Sequence, residues 1–422
     1  IMDITNMTTN SYVNVTCHFY ITRAYKLPNP VILGIETSCD DTGCAVIDGS
    51  GSILGESLYS QSAIHTRFGG VNPLVAHDLH RENIEGAVAE ALTKAKKSMQ
   101  DIDAIAVTSK PGLLVSLQVG VKFAKFLARK HSKPIIPVHH MEAHALVVRM
   151  YHNLTFPFIV LLISGGHCLL TVVKDVEEFI LLGKGLDNAP GEVFDKVARR
   201  MKLKNIPVYS KLSGGRAVEL AALEASNPGL FEFPLPLARI RDCNFSFSGL
   251  KDSLVRKLII KEAEHKAFGC EIIPEVYDLC AAFQLAVAEH LVHRTHRAIM
   301  FCEKNKLIPP GNKNIVVSGG VACNNFIFKS IELLANRIGY NALRPPTRVC
   351  TDNGVMIAWN GLEKLRIRCD MKSEINLKDI DPTAPLGKNF IDEVIAANIK
   401  TKVTRLKDIL MAYNLVLLFK VL

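Results

Sequence analysis

Two stretches far apart in this chain follow one plan, and that plan restricts the fold more than any single motif. Val31–Asp48 (VILGIETSCDDTGCAVID) reads as strand, polar turn, strand, and so does Phe158–Val173 (FIVLLISGGHCLLTVV). Each hairpin is followed later by a strand, a Gly-bearing turn and an amphipathic helix: Ala104–Ala128 in the first half, Asn314–Leu334 in the second. The architecture repeats although the letters do not. It predicts two α/β lobes related by a pseudo-twofold, with a cleft between them where a ligand would bind. A length of 422 residues allows two or three domains, and 48% apolar with 22% charged residues is globular composition. The expected organisation is a leader over 1–30, a first lobe over 31–157 with 350–391 packing back on it, a second lobe over 158–349, and a basic, apolar tail over 392–422.

The remaining composition narrows the setting. The apolar runs Phe158–Ile163 and Leu415–Phe419 fall short of the ~20 residues that a membrane-spanning helix needs. Eleven scattered cysteines without a C-x-x-C pair argue against a disulfide scaffold and a zinc knuckle. Cys168, Cys280 and Cys302 lie in apolar contexts and read as buried thiols in a reducing compartment. The leader is rich in Thr, Asn and Ser and carries Arg23 and Lys26 against Asp3 alone, a composition compatible with a mitochondrial transit peptide. The sequons at Asn6 and Asn14 are short enough to arise by chance. The terminal run Tyr413–Leu422 reads as a docking helix or a frayed end.

Three S-G-G turns recur: Ser164–Gly166, Ser213–Gly215 and Ser318–Gly320. Such turns offer backbone N–H groups to phosphate oxygens, and a following helix adds its positive end. One alone is merely a tight turn; two of these three come straight after apolar strands. Neither a Walker A sequence nor a G-x-G-x-x-G fingerprint occurs, which argues against P-loop and dinucleotide folds. Carboxylates flank the turns: Glu36, Asp40 and Asp41 in the first hairpin, and Asp187, Glu192 and Asp195 in GLDNAPGEVFDK. They can hold a ribose hydroxyl or a metal, or simply cap helices.

His140 and His144 stand four apart on a predicted helix after the strand Pro134–Val138, so both imidazoles can face one cation. Two imidazoles bind weakly, and a third ligand is expected from elsewhere. Asp352, in the polar turn Cys350–Gly354, is the best carboxylate, with helix N-capping as its alternative role. The metalloprotease pattern H-E-x-x-H is broken: position 141 is Met, and Glu142 sits about 100° further round the helix. His290, His293 and His296 lie in a basic amphipathic helix and read as a solvated or RNA-facing surface rather than a metal site.

GIETSCDDT, KPGL with LQVG, HHMEAH, LISGGH, GEVFDK, FSFSGLK, SGGVACN and CTDNGVMIAW occur in this order over roughly residues 31–390. In order and spacing the chain resembles the TsaD-type tRNA N6-adenosine threonylcarbamoyltransferases, once described as O-sialoglycoprotein endopeptidases. The resemblance implies an α/β, two-lobed actin/sugar-kinase/Hsp70-like (ASKHA) fold with duplicated RNase-H-like subdomains. It implies transfer of threonylcarbamoyl from threonylcarbamoyl-AMP to N6 of the adenosine 3′ to the anticodon (tRNA position 37) in tRNAs reading ANN codons. Carried over residue by residue, the metal ligands would be His140, His144 and Asp352, holding one divalent cation per subunit, Fe or Zn. The donor would lie against Leu162, Ile163, Ser164, Gly165, Gly166, Asp195, Gly215, Glu219 and Asn324. Glu36 or a hydroxide on the cation would take the N6 proton.

Departures from the bacterial pattern at Lys110–Leu113, Pro73–Asp78, His80–Asn83 and Lys211–Arg216 resemble the mitochondrial branch. That branch implies a matrix location, a homodimer and a separate synthase supplying the donor. The net charge of +9 suits a tRNA client. Lys196, Arg199, Arg200, Lys202 and Lys204 form one candidate contact surface, and Lys94, Lys96 and Lys97 another. The rival readings are an ATP-dependent small-molecule kinase or carbamoyltransferase of the same fold, and a nucleotide-gated binding module.

Overall fold

The computed structural model describes residues 28–68, 70–367, 375–401 and 406. The sequons, almost all of the leader and the run Tyr413–Leu422 lie outside them. The described residues form two compact units. One runs to Leu154 and includes Asp352–Leu386; the other spans Thr155–Thr351 and continues from Gly387.

The first unit is built on five strands: β1 (Ile32–Glu36), β2 (Asp41–Ile47), β3 (Ile53–Ser60), β4 (Ala104–Lys110) and β5 (Ile135–His139). Their order is β3-β2-β1-β4-β5, with β1–β2 and β2–β3 antiparallel and β1–β4 and β4–β5 parallel. Every residue of β1 is buried, as expected of a central strand covered on both faces. Leu33 and Ile35 pack into a core with Ile84 and Val88 of helix Pro73–Ala95 and Leu117 and Val121 of helix Leu114–His131. Gly34, pointing the other way, meets helix Gly354–Arg366 so closely that a Cβ there would overlap the backbone of Gly354 and Ala358. Gly354 in turn lies against the backbone of Cys44 and Ala45. Absent side chains on both partners let this helix lie directly on the sheet, and its N-terminal approach carries Asp352.

The second unit repeats the design with β6 (Phe158–Ile163), β7 (Cys168–Val173), β8 (Phe179–Lys184), β9 (Asn314–Ser318) and β10 (Asn341–Leu343). The short β11 (Lys388–Asn389) is added beside β8, giving the order β10-β9-β6-β7-β8-β11. Without β11, this is the first sheet's order read from the other edge. The hairpin β6–β7 is antiparallel and β6–β9 parallel, matching β1–β2 and β1–β4. The returning segment of the first unit thus ends at Leu386 rather than at residue 391, because the strand that follows joins the second sheet.

Helix Val276–Lys304 corrects the sequence reading. His290 and His293 are buried, not solvated, as are Arg294 and Arg297 beside them. His290 Nε2 accepts from the Ser246 N–H at 3.1 Å, and its ring stands edge-on to Phe245 and Phe247. Arg294 donates to the carbonyls of Pro236, Leu237, Ile240 and Asp242 and to the Asp242 carboxylate. A guanidinium tolerates burial when its fan of donors meets this many acceptors. Cys168, Cys280 and Cys302 are buried as expected, and burial pushes their thiols well up.

Candidate functional site

In the first unit, β5 runs straight into helix His140–Leu146, with the His139 ring accepting from the Met141 N–H at 3.2 Å. The helix is buried on all sides, so the two imidazoles have fixed surroundings. His144 Nε2 lies 3.0 Å from Asp352 Oδ1, and His140 Nε2 lies 3.5 Å from the same oxygen. The rings stand edge to face with centroids 4.6 Å apart. Ligand atoms about 2.1 Å from a common cation are separated by roughly 3.0–3.4 Å in octahedral or tetrahedral arrangements. The His144–Asp352 separation falls in that range, the His140–Asp352 separation lies just beyond it, and the three ligand atoms all lie within 4.8 Å of one another. The capping alternative for Asp352 falls away, because the helix Gly354–Arg366 is capped by Asn353, whose Oδ1 accepts from the Met356 N–H at 2.9 Å.

Behind His140 sits Glu36, fully buried at the end of β1. Its Oε2 is 3.4 Å from His140 Nδ1 and also accepts from the Thr108 hydroxyl, while Oε1 accepts from the Ser38 N–H at 2.6 Å. Ser38 Oγ stands 3.1 Å from the same Nδ1. The chain thus places Glu36 as a support for His140 rather than open to a substrate. Burial alone would lower the His140 pKa, but the Asp352 and Glu36 carboxylates outweigh it and hold the imidazole at about 9. Burial likewise works to raise Glu36, and His140 overrides it, so the carboxyl lies below its usual range. At His144 burial prevails over Asp352 and the pKa falls. Without a metal, His140 is therefore an imidazolium at neutral pH, protonated on both ring nitrogens, whereas His144 is driven toward its neutral form.

Asp41, the first residue of β2, behaves differently. Burial raises its carboxyl to about 7 despite a hydrogen bond from Ser60, and Asp352, Asp40 and Glu36 add repulsion. Its Oδ1 has no hydrogen-bond partner among the described residues. Sequence reading singled out Asp41 only as one of several hairpin carboxylates; its signal is burial at the strand entrance, which requires the fold. Glu142 is buried and paired with Lys364 at 3.2 Å, which removes it as a metalloprotease base.

The residues expected to hold the donor lie in the second unit, on elements linked by hydrogen bonds. Leu162 and Ile163 are buried core residues at the end of β6, just before the turn. In that turn Ser164 Oγ accepts from the His167 N–H at 3.1 Å, and the space around Gly165 and Gly166 is open. The Ser164 carbonyl accepts from the Gly191 N–H at 3.1 Å, tying the turn to helix Pro190–Arg200. That helix carries Asp195, whose carboxylate accepts from the N–H groups of Gly214 and Gly215. Helix Gly214–Leu223 then presents Glu219, which accepts from the Asn325 N–H at 2.7 Å and pairs with Arg216 at 2.6 Å. Asn324 donates to Gln284 Oε1 at 2.7 Å and caps the helix Asn325–Arg337. Gly319 has φ +98° and lies against the Ile163 carbonyl, so the third S-G-G turn abuts the end of β6.

Several flanking candidates have structural jobs. Asp187 accepts from the Ser246 hydroxyl and the Phe247 N–H, and Glu192 pairs with Lys196 at 2.6 Å. Part of each basic run is paired within the fold. Arg200 and Lys202 both bind Glu262, at 2.6 and 3.1 Å, pulling its carboxyl down to about 2, and Lys94 pairs with Glu90.

The duplicated sheet order and its hairpin–crossover plan define the class: this is an α/β protein of the two-lobed actin/sugar-kinase/Hsp70 type. The family model described as TsaD: tRNA N6-adenosine threonylcarbamoyltransferase matches residues 52–359. The mitochondrial enzyme of that name from Danio rerio is 47% identical, covering 89% of this chain and 93% of its own. The Homo sapiens protein is 47% identical over 88% of this chain and 89% of its own, and the Anaplasma marginale enzyme 46% over 79% and 93%. A solved structure of HypF from T. kodakarensis aligns with TM-score 0.48 and 16% identity, covering 83% of this chain and 49% of that one. The chain belongs to the TsaD family of tRNA N6-adenosine threonylcarbamoyltransferases. It is a transferase that modifies tRNA, of the mitochondrial kind, in a family that binds a metal.

Proposed function

We propose that the chain transfers threonylcarbamoyl from threonylcarbamoyl-AMP to N6 of the adenosine 3′ to the anticodon, position 37, in tRNAs reading ANN codons. The observation that carries this reading is the convergence of His140, His144 and Asp352 on one point. The bond formed is N6–C(carbonyl), the bond broken is C–O to the AMP phosphate, and the N6 proton must leave. A divalent cation held by His140, His144 and Asp352 supplies Lewis acidity toward a carbonyl or phosphate oxygen. Two imidazoles and a carboxylate suit Fe(II) or Zn(II).

The chain's own groups supply the rest. Glu36 and Ser38 fix the His140 ring from its Nδ1 side. The open space around Gly165 and Gly166 leaves room for an adenylate phosphate at this turn, where the Gly166 N–H also donates to Ser164 Oγ at 3.4 Å. Asp195, Gly215, Glu219 and Asn324 would form the surrounding wall: Asp195 accepts from the Gly215 N–H, Glu219 accepts from the N–H of Asn325 next to Asn324, and Asn324 donates to Gln284. Of the first-unit carboxylates, Asp41 is the best matched to accepting the N6 proton near neutral pH, in place of the buried Glu36.

A separate synthase supplies the donor, and the enzyme works in the matrix as a homodimer. Exposed apolar side chains at Ile64, Phe68, Val71 and Leu74 in the first unit support self-association. The test is incubation with threonine, bicarbonate, ATP, the synthase and unmodified tRNA, followed by nucleoside digestion and mass spectrometry. Appearance of N6-threonylcarbamoyladenosine only when this chain is present supports the reading. Modification with ATP and threonine but without the synthase would overturn the donor assignment.

A further inference from the structure

The SGGVACN motif carries a thiol that the transfer reaction does not use. Cys323 ends the 3₁₀ turn Gly320–Cys323, and Cys350 directly follows the 3₁₀ turn Thr347–Val349. The two turns pack on each other, and the two thiols hydrogen-bond one another. Cys323 is partly exposed, whereas Cys350 is buried beneath it. Cys323 Sγ also lies 3.5 Å from the Thr347 carbonyl, and Cys350 Sγ 3.4 Å from that of Pro345.

Arg344 completes the group. Its Nη1 donates to the Ala322 carbonyl at 2.8 Å and its Nη2 to Asn325 Oδ1 at 3.1 Å, so the guanidinium is fixed beside Cys323. The Cys350 hydrogen bond, aided by the Arg344 charge, draws the Cys323 thiol below its usual pKa. Burial instead holds Cys44, Cys168, Cys243, Cys280 and Cys302 upward. A partly exposed thiol of lowered pKa beside a second thiol and a fixed cation is the arrangement of an oxidisable pair.

We propose that Cys323 and Cys350 form a dithiol modification site that hydrogen peroxide closes to a disulfide. The Cys323 thiolate attacks a peroxide oxygen, the O–O bond breaks, and a sulfenic acid forms as the departing hydroxide takes up the thiol's proton and leaves as one water. Cys350 sulfur then attacks Cys323 sulfur, loses its proton, and the S–O bond breaks to release a second water. Two thiols are oxidised, one peroxide is reduced, and an external thiol reverses the step. The bond would tie together two turns that lead into Asn324 and into Thr351–Asp352. Formation of the disulfide stands by itself; an effect on transfer rests on the reading of Asn324 as a donor-binding residue.

The test uses the full chain. Protein is treated with hydrogen peroxide, free thiols are alkylated, and the digest is read by mass spectrometry with and without dithiothreitol. The expected product is a dithiothreitol-sensitive peptide linking Cys323 to Cys350, replaced in Cys350→Ser by a Cys323 sulfenic acid that dimedone traps. Alkylation of both thiols after peroxide, or a Cys323 sulfinic acid with Cys350 still alkylated, would overturn the proposal. Transfer should fall several-fold in the oxidised wild type and not in peroxide-treated Cys323→Ser. A disulfide that forms without changing transfer would uphold the dithiol site and count against the donor-binding role of Asn324.

Discussion

Glu36 and His140 meet on the ring nitrogen that Asp352 does not face: Glu36 Oε2 is 3.4 Å from Nδ1, whereas Asp352 Oδ1 is 3.5 Å from Nε2. A proton shared on the Nδ1 side fixes the tautomer that leaves Nε2 for a cation. Outer carboxylates of this type commonly tune metal affinity by about 10–100-fold. Glu36→Gln should therefore weaken Zn(II) binding by about that factor, measured by competition with a chromophoric chelator, with an unchanged circular dichroism spectrum. Affinity equal to wild type would remove Glu36 from its supporting role.

Metal binding should release a proton. With His140 held at about 9 in the metal-free protein, its imidazolium must give up one proton at pH 7 when Nε2 becomes a ligand. Zn(II) titration by calorimetry in buffers of different ionisation enthalpy should report about one proton released, and affinity should rise with pH up to about 9. The group's folded pKa lies above its unfolded value, so in the metal-free protein it stabilises the fold fully below pH about 6.5. That contribution is lost as pH rises through about 9. Zero protons released at pH 7 would contradict the assignment.

Asp41 should set the acid limb of the pH–rate profile. A base with a pKa of about 7 gives transfer that rises with pH and levels above that value. Asp41→Asn should lower the rate by about 10²–10⁴-fold while leaving Zn(II) content intact. Its raised carboxyl also costs stability as pH climbs from about 4 to about 7, so the variant should melt higher than wild type at pH 8 and alike at pH 4. A fast Asp41→Asn enzyme with the wild-type pH profile would exclude it as the base.

Close backbone packing should be as important as the ligands themselves. Gly34→Ala places a Cβ into the backbone of the helix that follows Asp352. Overpacking of this kind costs about 1–3 kcal/mol, and the displaced helix should take Asp352 from His144. Thermal melting and Zn(II) stoichiometry read the two effects separately. An unshifted melting temperature would show that the helix yields freely.

The parts legible in the sequence are those encoded locally. The hairpins around Gly34–Thr42 and Leu162–His167 announce themselves through apolar runs broken by polar turns, and His140 and His144 through their one-turn spacing. What escaped reading depends on partners distant in the chain. Arg294 looks like part of a polar helix face until the carbonyls of residues 236–242 are brought against it, and His293 until Arg297 and Thr401 meet its ring. Arg200 looks like a free cation until Glu262, a turn of another helix, reaches it. Glu36 reads as an available base, and only strand pairing puts it behind His140. Asp352 was identifiable as a carboxylate in a polar turn, yet its release from capping is decided by Asn353 next door.

The most direct measurement is the metal content of the purified, folded chain compared with His144→Ala and Asp352→Asn, taken alongside N6-threonylcarbamoyladenosine formation on the same samples. One divalent cation per wild-type chain, with metal and transfer lost together in both variants, is the predicted result. Stoichiometric metal retained in both variants, or full transfer from metal-free protein, would contradict a centre built on His140, His144 and Asp352.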